Sequence, residues 1–331
     1  MTQAMHSIQA PIRWGIIGCG NVTERKSGPA YNKTPGFVLH GVMRRDAAKA
    51  QDYAKRHAVP KFYSDADALI NDPEIDAVYI ATPPDSHADY AIRVAAAGKI
   101  CCIEKPMASN YPQCLKIEQA FKERNIPLFV TYYRRSLPRF LQVKKWLDEG
   151  RIGAVRQVHW HLMKQAVEID LSGQYNWRTD PKIAVGGHFD DLASHGIDLL
   201  IFLLGNIEQA TGVSCNQQQL YGARDAVAGC WRHESGVIGS GSWNFACSDN
   251  EDRVEIVGSE GKIEFAIFDS MPLVLQRGAL REEQVIEHPD HIQLHHVANM
   301  RRHLSGEISH PSNGATACHT AWVMDKILGQ I

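Results

Sequence analysis

The chain has 331 residues, a formal net charge of −2 at pH 7 and 44% apolar residues. That length accommodates two domains, and the near-balanced charge without a basic block argues against nucleic acid as a partner. No run approaches the roughly 20 apolar residues of a membrane span. Eight cysteines without a CxxC pair argue against a disulfide framework or a structural zinc site and suit the cytoplasm. Met1 to Pro11 lacks the charged and apolar regions of a signal peptide and reads as an extension.

From Ile12 to Val130 short apolar runs alternate with helical patterns. Strands are predicted at Ile12–Ile17, Phe37–Met43, Lys61–Tyr63, Asp76–Ala81, from Ile100 and at Pro127–Val130. Helices are predicted at Val22–Lys33, Asp46–Arg56, Ala66–Ile70, His87–Ala97 and Tyr111–Arg124. Such alternation predicts a doubly wound parallel sheet with helices on both faces. After a boundary near residue 131 the pattern changes. A strand at Val155–Leu162 and a helix at Leu192–Leu204 lead into runs of period two up to Phe268. These include Ala226–His233, Val237–Trp243 and Arg253–Val257, separated by turn residues, and predict an antiparallel sheet. Helices near Leu294–Leu304 and Ala315–Leu328 close the chain. The expected organisation is a dinucleotide-binding domain over residues 1–131 and a substrate and oligomerisation domain over 132–331.

Gly18-Cys19-Gly20-Asn21-Val22-Thr23 follows a strand and opens a helix. The first glycine permits a tight turn. The second lets backbone approach a pyrophosphate at the helix N-terminus, where free amides and the dipole favour negative charge. In NAD-binding proteins the second strand normally ends in an acid that bonds the adenosine ribose. Here it ends Met43-Arg44-Arg45-Asp46. A guanidinium at Arg44 suits a 2′-phosphate, so NADP is favoured over NAD. Asp46 lies two places on and reads as a helix N-cap.

Glu104-Lys105-Pro106 closes the Ile100 strand, which places an ammonium at the crevice of a parallel sheet. Asp191 and His195 are four residues apart and share one helical face. An imidazole there suits proton transfer near neutral pH. His159 and His161 alternate on a strand and His295-His296 are adjacent on a helix, so they read as sheet-face and surface residues rather than metal ligands.

Taken together, Gly18-Cys19-Gly20, Ala81-Thr82-Pro83-Pro84 with His87, Glu104-Lys105-Pro106, Arg135 with Pro138, Trp177-Arg178, Gly186-Gly187 and Asp191 with His195 resemble the Gfo/Idh/MocA oxidoreductases. The resemblance runs from Ile12 to about Leu328 and departs at Thr23 and Val185. It implies a Rossmann domain followed by an open-faced, mostly antiparallel sheet with helices on one face, which family members use to form dimers or tetramers. It implies Lys105 as catalytic lysine ahead of a cis peptide bond to Pro106, and Asp191 and His195 as the substrate and proton-transfer pair. Thr82, Pro83 and His87 match the loop along the nicotinamide. Arg135, Trp177 and Arg178 match crevice-lining positions. With Gly18, Gly20, Asn21, Val22, Arg44, Arg45 and Glu104, these form the expected cofactor site. The implied reaction moves hydride between NAD(P) and a sugar, inositol or related polyol.

Two alternatives stand beside it. One is transient oxidation followed by elimination of a glycosidic substituent, with Tyr132, Tyr133, His288, His291 and His295 as extra acids and bases. The other is a dinucleotide-sensing regulator without chemistry.

Overall fold

In the computed structural model residues 11–331 are described, so the reading of the first ten residues as an extension lies outside the described chain. The chain packs as two compact units. The first comprises residues through Ala108, Pro112–Leu137 and Pro289–Cys318. The second comprises Ser109–Tyr111, Pro138–His288 and His319–Ile331.

The first unit is built on six parallel strands: β1 (Ile12–Ile17), β2 (Phe37–Met43), β3 (Lys61–Tyr63), β4 (Ala77–Ile80), β5 (Ile100–Ile103) and β6 (Leu128–Val130). Their order is β3-β2-β1-β4-β5-β6, and every pairing is parallel. All four residues of β4 are buried, as expected of a strand covered on both faces. The order reverses between β1 and β4, the switch point outside whose carboxyl ends ligands bind in doubly wound sheets.

The helices of this part are α1 (Asn21–Arg25), α2 (Gly28–Lys33), α3 (Ala47–Arg56), α4 (Ala66–Ile70), α5 (His87–Ala96) and α6 (Tyr111–Lys122). The single helix expected over Val22–Lys33 is broken into α1 and α2. The carbonyl of Thr23 accepts from the Tyr53 hydroxyl at 2.9 Å, and the Ser27 amide bonds back to Val22 instead. Pro29, which lacks an N–H, then suits the start of a new helix. Thr23 itself is fully buried and returns its hydroxyl to the Gly20 carbonyl at 2.8 Å.

In the second unit α7 (Pro138–Asp148) precedes β7 (Val155–Met163), α8 (Glu168–Leu171) and α9 (His188–Leu204). Seven strands follow: β8 (Ile207–Cys215), β9 (Ala226–His233), β10 (Ile238–Asn244), β11 (Glu251–Gly258), β12 (Lys262–Phe265), β13 (Leu273–Arg277) and β14 (Leu280–Gln284). The sheet order is β14-β13-β12-β11-β7-β10-β9-β8. It is antiparallel except for β7 against β10. One face buries Trp160, Trp231 and Trp243, and Phe189 of α9 packs edge-on to Trp243 at 5.0 Å. The other face is open, with Val213 73% exposed. The sequence pattern missed α7, α8, β13 and β14. It also started α9 four residues late, because His188, Asp190 and Asp191 leave Phe189 as the one apolar residue in that turn.

Two helices, α10 (Leu294–Leu304) and α11 (Gly314–Ile327), end the chain. Val297, Met300 and Leu304 of α10 join the core of β1, β2 and β4. His296 is fully buried there, its ring 4.6 Å from that of His310. That corrects its reading as a surface residue: the apolar face of α10 turns inward and carries His296 with it.

Candidate active site

The carboxyl end of the parallel sheet gathers four loops, each extending the strand ladder by a hydrogen bond. Gly18 N–H donates to the Met43 carbonyl at 2.9 Å, Ala81 N–H to Ile17 at 2.8 Å, Glu104 N–H to Ile80 at 2.8 Å and Thr131 N–H to Ile103 at 3.0 Å. Gly18 adopts φ +91°, and a β-carbon there would stand 2.7 Å from Thr82 Cγ2. Conformation and crowding therefore both demand glycine. Gly20 differs, because a β-carbon would meet only the Gly18 carbonyl oxygen, at 3.9 Å. The fold does not need that glycine. The open space before it and the unbonded first amides of α1, at Asn21 and Val22, fit a pyrophosphate.

Arg44, half-buried at the end of β2, donates from Nη1 to the Cys19 carbonyl at 3.3 Å and so braces this turn. Arg45 is exposed. Asp46 accepts from the Lys49 amide at 3.1 Å as the N-cap of α3, which lowers its carboxyl pKa. It is committed to the helix.

Glu104 is 8% exposed and accepts from four donors. One oxygen takes the Tyr79 hydroxyl and Gln293 Nε2 at 2.7 Å. The other takes the Thr131 hydroxyl at 2.8 Å and the Lys105 amide at 3.2 Å. The Lys105 amide also reaches Thr131 Oγ1 at 3.1 Å. Glu104 thus anchors the backbone of its neighbour rather than facing solvent. The Lys105–Pro106 peptide bond is cis.

His87 is fully buried. Its Nε2 lies 2.7 Å from the Thr82 carbonyl and its Nδ1 3.0 Å from that of Pro106. Burial pushes its pKa down. A ring with one N–H donates to one of these two carbonyls and packs its other nitrogen against the second, so it sits wedged between the Thr82-Pro83 turn and the Lys105 loop. Arg135 is also buried, and its Nη1 donates to the Pro311 carbonyl at 3.0 Å. Tyr132 is 2% exposed, and His291 spans the Arg25 carbonyl and Lys33 Nζ.

In the second unit the turn into α9 is set by Gly187 at φ +62°, where a β-carbon would lie 2.6 Å from the Arg224 carbonyl oxygen. Asp191 then sits in the first turn of α9 and accepts from Arg178 Nε at 2.9 Å. The Arg178 guanidinium stacks 4.3 Å over the Trp177 ring. His195, one turn further along α9, is 4% exposed and edge-on to Phe268. The structure therefore joins Trp177, Arg178 and Asp191 directly and sets His195 on the same helical face.

Sequence reasoning missed the supports of these groups. Tyr79, Thr131 and Gln293 hold Glu104 from up to 189 residues away, a separation that leaves no local signal. Asp170 and Asn176 hold the Trp177-Arg178 turn. Asn176 Oδ1 caps the Arg178 amide at 3.2 Å while its Nδ2 donates to Asp170 at 2.9 Å.

A glycine turn at the switch point of a 3-2-1-4-5-6 sheet, with a lysine at the end of the fifth strand, defines a dinucleotide-dependent oxidoreductase fold. Residues 12–132 match the model for the oxidoreductase family with an NAD-binding Rossmann fold, and residues 140–264 match the Gfo/Idh/MocA C-terminal domain. The chain belongs to the Gfo/Idh/MocA family of oxidoreductases. It is 38% identical to oxidoreductase P35 of Formosa agariphila, over 97% of this chain and all of that one. It is 30% identical to inositol 2-dehydrogenase of Rhizobium meliloti, over 76% of this chain and 74% of that one. A solved levoglucosan dehydrogenase, in complex with NADH and L-sorbose, superposes with a TM-score of 0.84 at 25% identity, covering 96% and 95% of the two chains.

Proposed function

We propose that this enzyme interconverts a secondary alcohol and a ketone on a sugar, inositol or related polyol, with NADP favoured over NAD. The observation that carries the reading is the α9 stripe: Asp191 fixed by Arg178, with buried His195 one turn on. A bound nicotinamide supplies the carbon that accepts or returns hydride. His195 takes the hydroxyl proton as the C–H bond breaks. The Lys105 ammonium hydrogen-bonds the same oxygen and stabilises its developing charge. Asp191, oriented by Arg178, binds a second hydroxyl. In reduction the proton moves back from His195 to the alkoxide.

Gly18, Gly20, Asn21 and Val22 would hold the pyrophosphate. Arg44, with Arg45 beside it, would pair with the 2′-phosphate, and Thr82 and Pro83 would flank the nicotinamide. The NADP preference is supported by the loss of the ribose acid at Arg44 and by the engagement of Asp46 as an N-cap. The open sheet face, where Val213 and Ile238 are exposed, supports a homodimer or homotetramer.

The test is nicotinamide absorbance with NADP or NAD and a panel of sugars and inositols. Lys105→Ala should lower turnover by about 10² to 10⁴-fold while leaving dinucleotide binding within a few-fold. Turnover unchanged in that variant would remove the lysine from the mechanism. A wild type that oxidises no member of the panel would sink the reading.

A further inference from the structure

Helix α9 opens with a residue that the proposed reaction does not use. His188 is the first residue of α9, three before Asp191 and seven before His195. At those spacings the three side chains stand on one face, and the helical rise sets them about 4.5 Å and about 6 Å apart along the axis.

The ring is built in rather than loosely placed. Its Nε2 lies 2.6 Å from Asp170 Oδ2, and the Asp170 side chain is 2% exposed. A carboxylate only accepts, so Nε2 carries a proton, and in the tautomer with that one N–H the Nδ1 presents a lone pair. The ring also packs edge-on to Tyr221 at 5.9 Å and tilted against Phe245 at 5.6 Å. The imidazole retains 12% side-chain exposure, so it is accessible at one edge. Beside it the Tyr221 hydroxyl oxygen is buried and bonds to no atom among the described residues.

The other Asp170 oxygen accepts from Asn176, which caps the turn presenting Arg178 to Asp191. One buried carboxylate therefore fixes both His188 and the arginine that holds Asp191. A histidine needed only to fill space would not require an acid that also sets the geometry of its neighbour on the same stripe.

We propose that His188, positioned by Asp170, is a third substrate-contacting residue of α9 that accepts a hydrogen bond at Nδ1 from the hydroxyl adjacent to the one oxidised. The inference rests on the reading that Asp191 and His195 face substrate. It makes His188 a specificity residue: it selects a vicinal diol and rejects the same compound deoxygenated or methylated at the neighbouring carbon, because such an analogue has no proton to donate.

The variants separate contact from scaffolding. In His188→Gln the amide nitrogen reaches about as far as Nε2 and keeps the bond to Asp170, but the acceptor at the Nδ1 position is gone. Asp170→Asn removes the charge that sets the tautomer. Steady-state oxidation of myo-inositol and of levoglucosan is compared with that of their singly deoxygenated analogues.

His188→Gln should raise KM about tenfold, the worth of one hydrogen bond, with kcat within threefold. That penalty should vanish on the analogue lacking the neighbouring hydroxyl. An equal penalty on parent and analogues, or no penalty, overturns the proposal. ¹⁵N NMR of the wild type, which needs no substrate, should show His188 protonated at Nε2. The opposite tautomer, or a ring protonated on both nitrogens, also overturns it. Should Asp170→Asn fail to fold, His188→Gln decides alone. His195→Ala tests the underlying reaction separately, since it should abolish turnover on every substrate, whatever His188 does.

Discussion

At the scale of single residues, two glycines two places apart make opposite demands. Gly18→Ala would force a β-carbon against Thr82 at a positive φ and should destabilise the protein. Gly20→Ala finds open space, so its melting temperature should match wild type. Its dinucleotide dissociation constant should still rise at least about tenfold, because the methyl group would occupy the place proposed for the phosphate. Equal affinities in Gly20→Ala and wild type would mean that the phosphate lies elsewhere. Arg44→Asp should shift the ratio of NADP to NAD efficiency by about 10-fold or more toward NAD. A ratio left unchanged would remove Arg44 from the choice of cofactor.

These residues were legible because each sits in a short local pattern: GxG after a strand, EKP ending a strand, an acid and a histidine four apart. Their supports were not legible. Nothing around Gln293 says that its amide meets Glu104, and nothing around Asp170 says that it meets His188. Such contacts exist only after the chain has folded back on itself. His87 shows the reverse case, where a motif residue turned out to be a buried tie between two loops.

At the scale of elements, α9 carries an internal tension that pH should expose. Asp190 accepts the Gly186 amide at 2.8 Å, and burial pushes its carboxyl up to about 7. Asp325 in α11 accepts the Tyr111 amide at 2.9 Å and is pushed up to about 6, again by burial. An unfolded aspartate titrates near 3.9, so the folded form holds these protons more tightly. Their stabilising contribution is complete below about pH 4 and is lost as pH rises through about 7. Glu24 works in the opposite sense: its pairing with Arg56 lowers its pKa to about 2, and that contribution is lost only under acid.

Asp190→Asn keeps an acceptor for Gly186 and removes the charge. It should melt several degrees above wild type at pH 8 and together with it near pH 3.5, below the unfolded pKa. A melting difference independent of pH would show that the Asp190 charge is not the cause. Element types were well forecast in the first unit, where buried parallel strands are continuous apolar runs. They were forecast less well at β13 and β14, where β14 (Leu-Arg-Glu-Glu-Gln) carries almost no apolar signal.

At the scale of the whole molecule, the eight-stranded sheet leaves one face uncovered by its own helices. If copies pair through it, Val213→Lys with Ile238→Glu should shift the protein to monomers in light scattering while leaving dinucleotide binding intact. Assembly unchanged in that double variant would move the interface elsewhere.

The first unit also draws on the far end of the chain. Residues 289–318 supply Gln293 to Glu104, the Ser312 hydroxyl to the Val130 carbonyl at 2.7 Å and the His303 and His310 rings against Phe129. On the ribosome, the strand that ends in the lysine emerges first and its buried acid waits for nearly two hundred further codons before its last donor arrives. A nascent chain halted before that point lacks the Gln293 donor to Glu104 and the α10 side chains that complete the core of the parallel sheet.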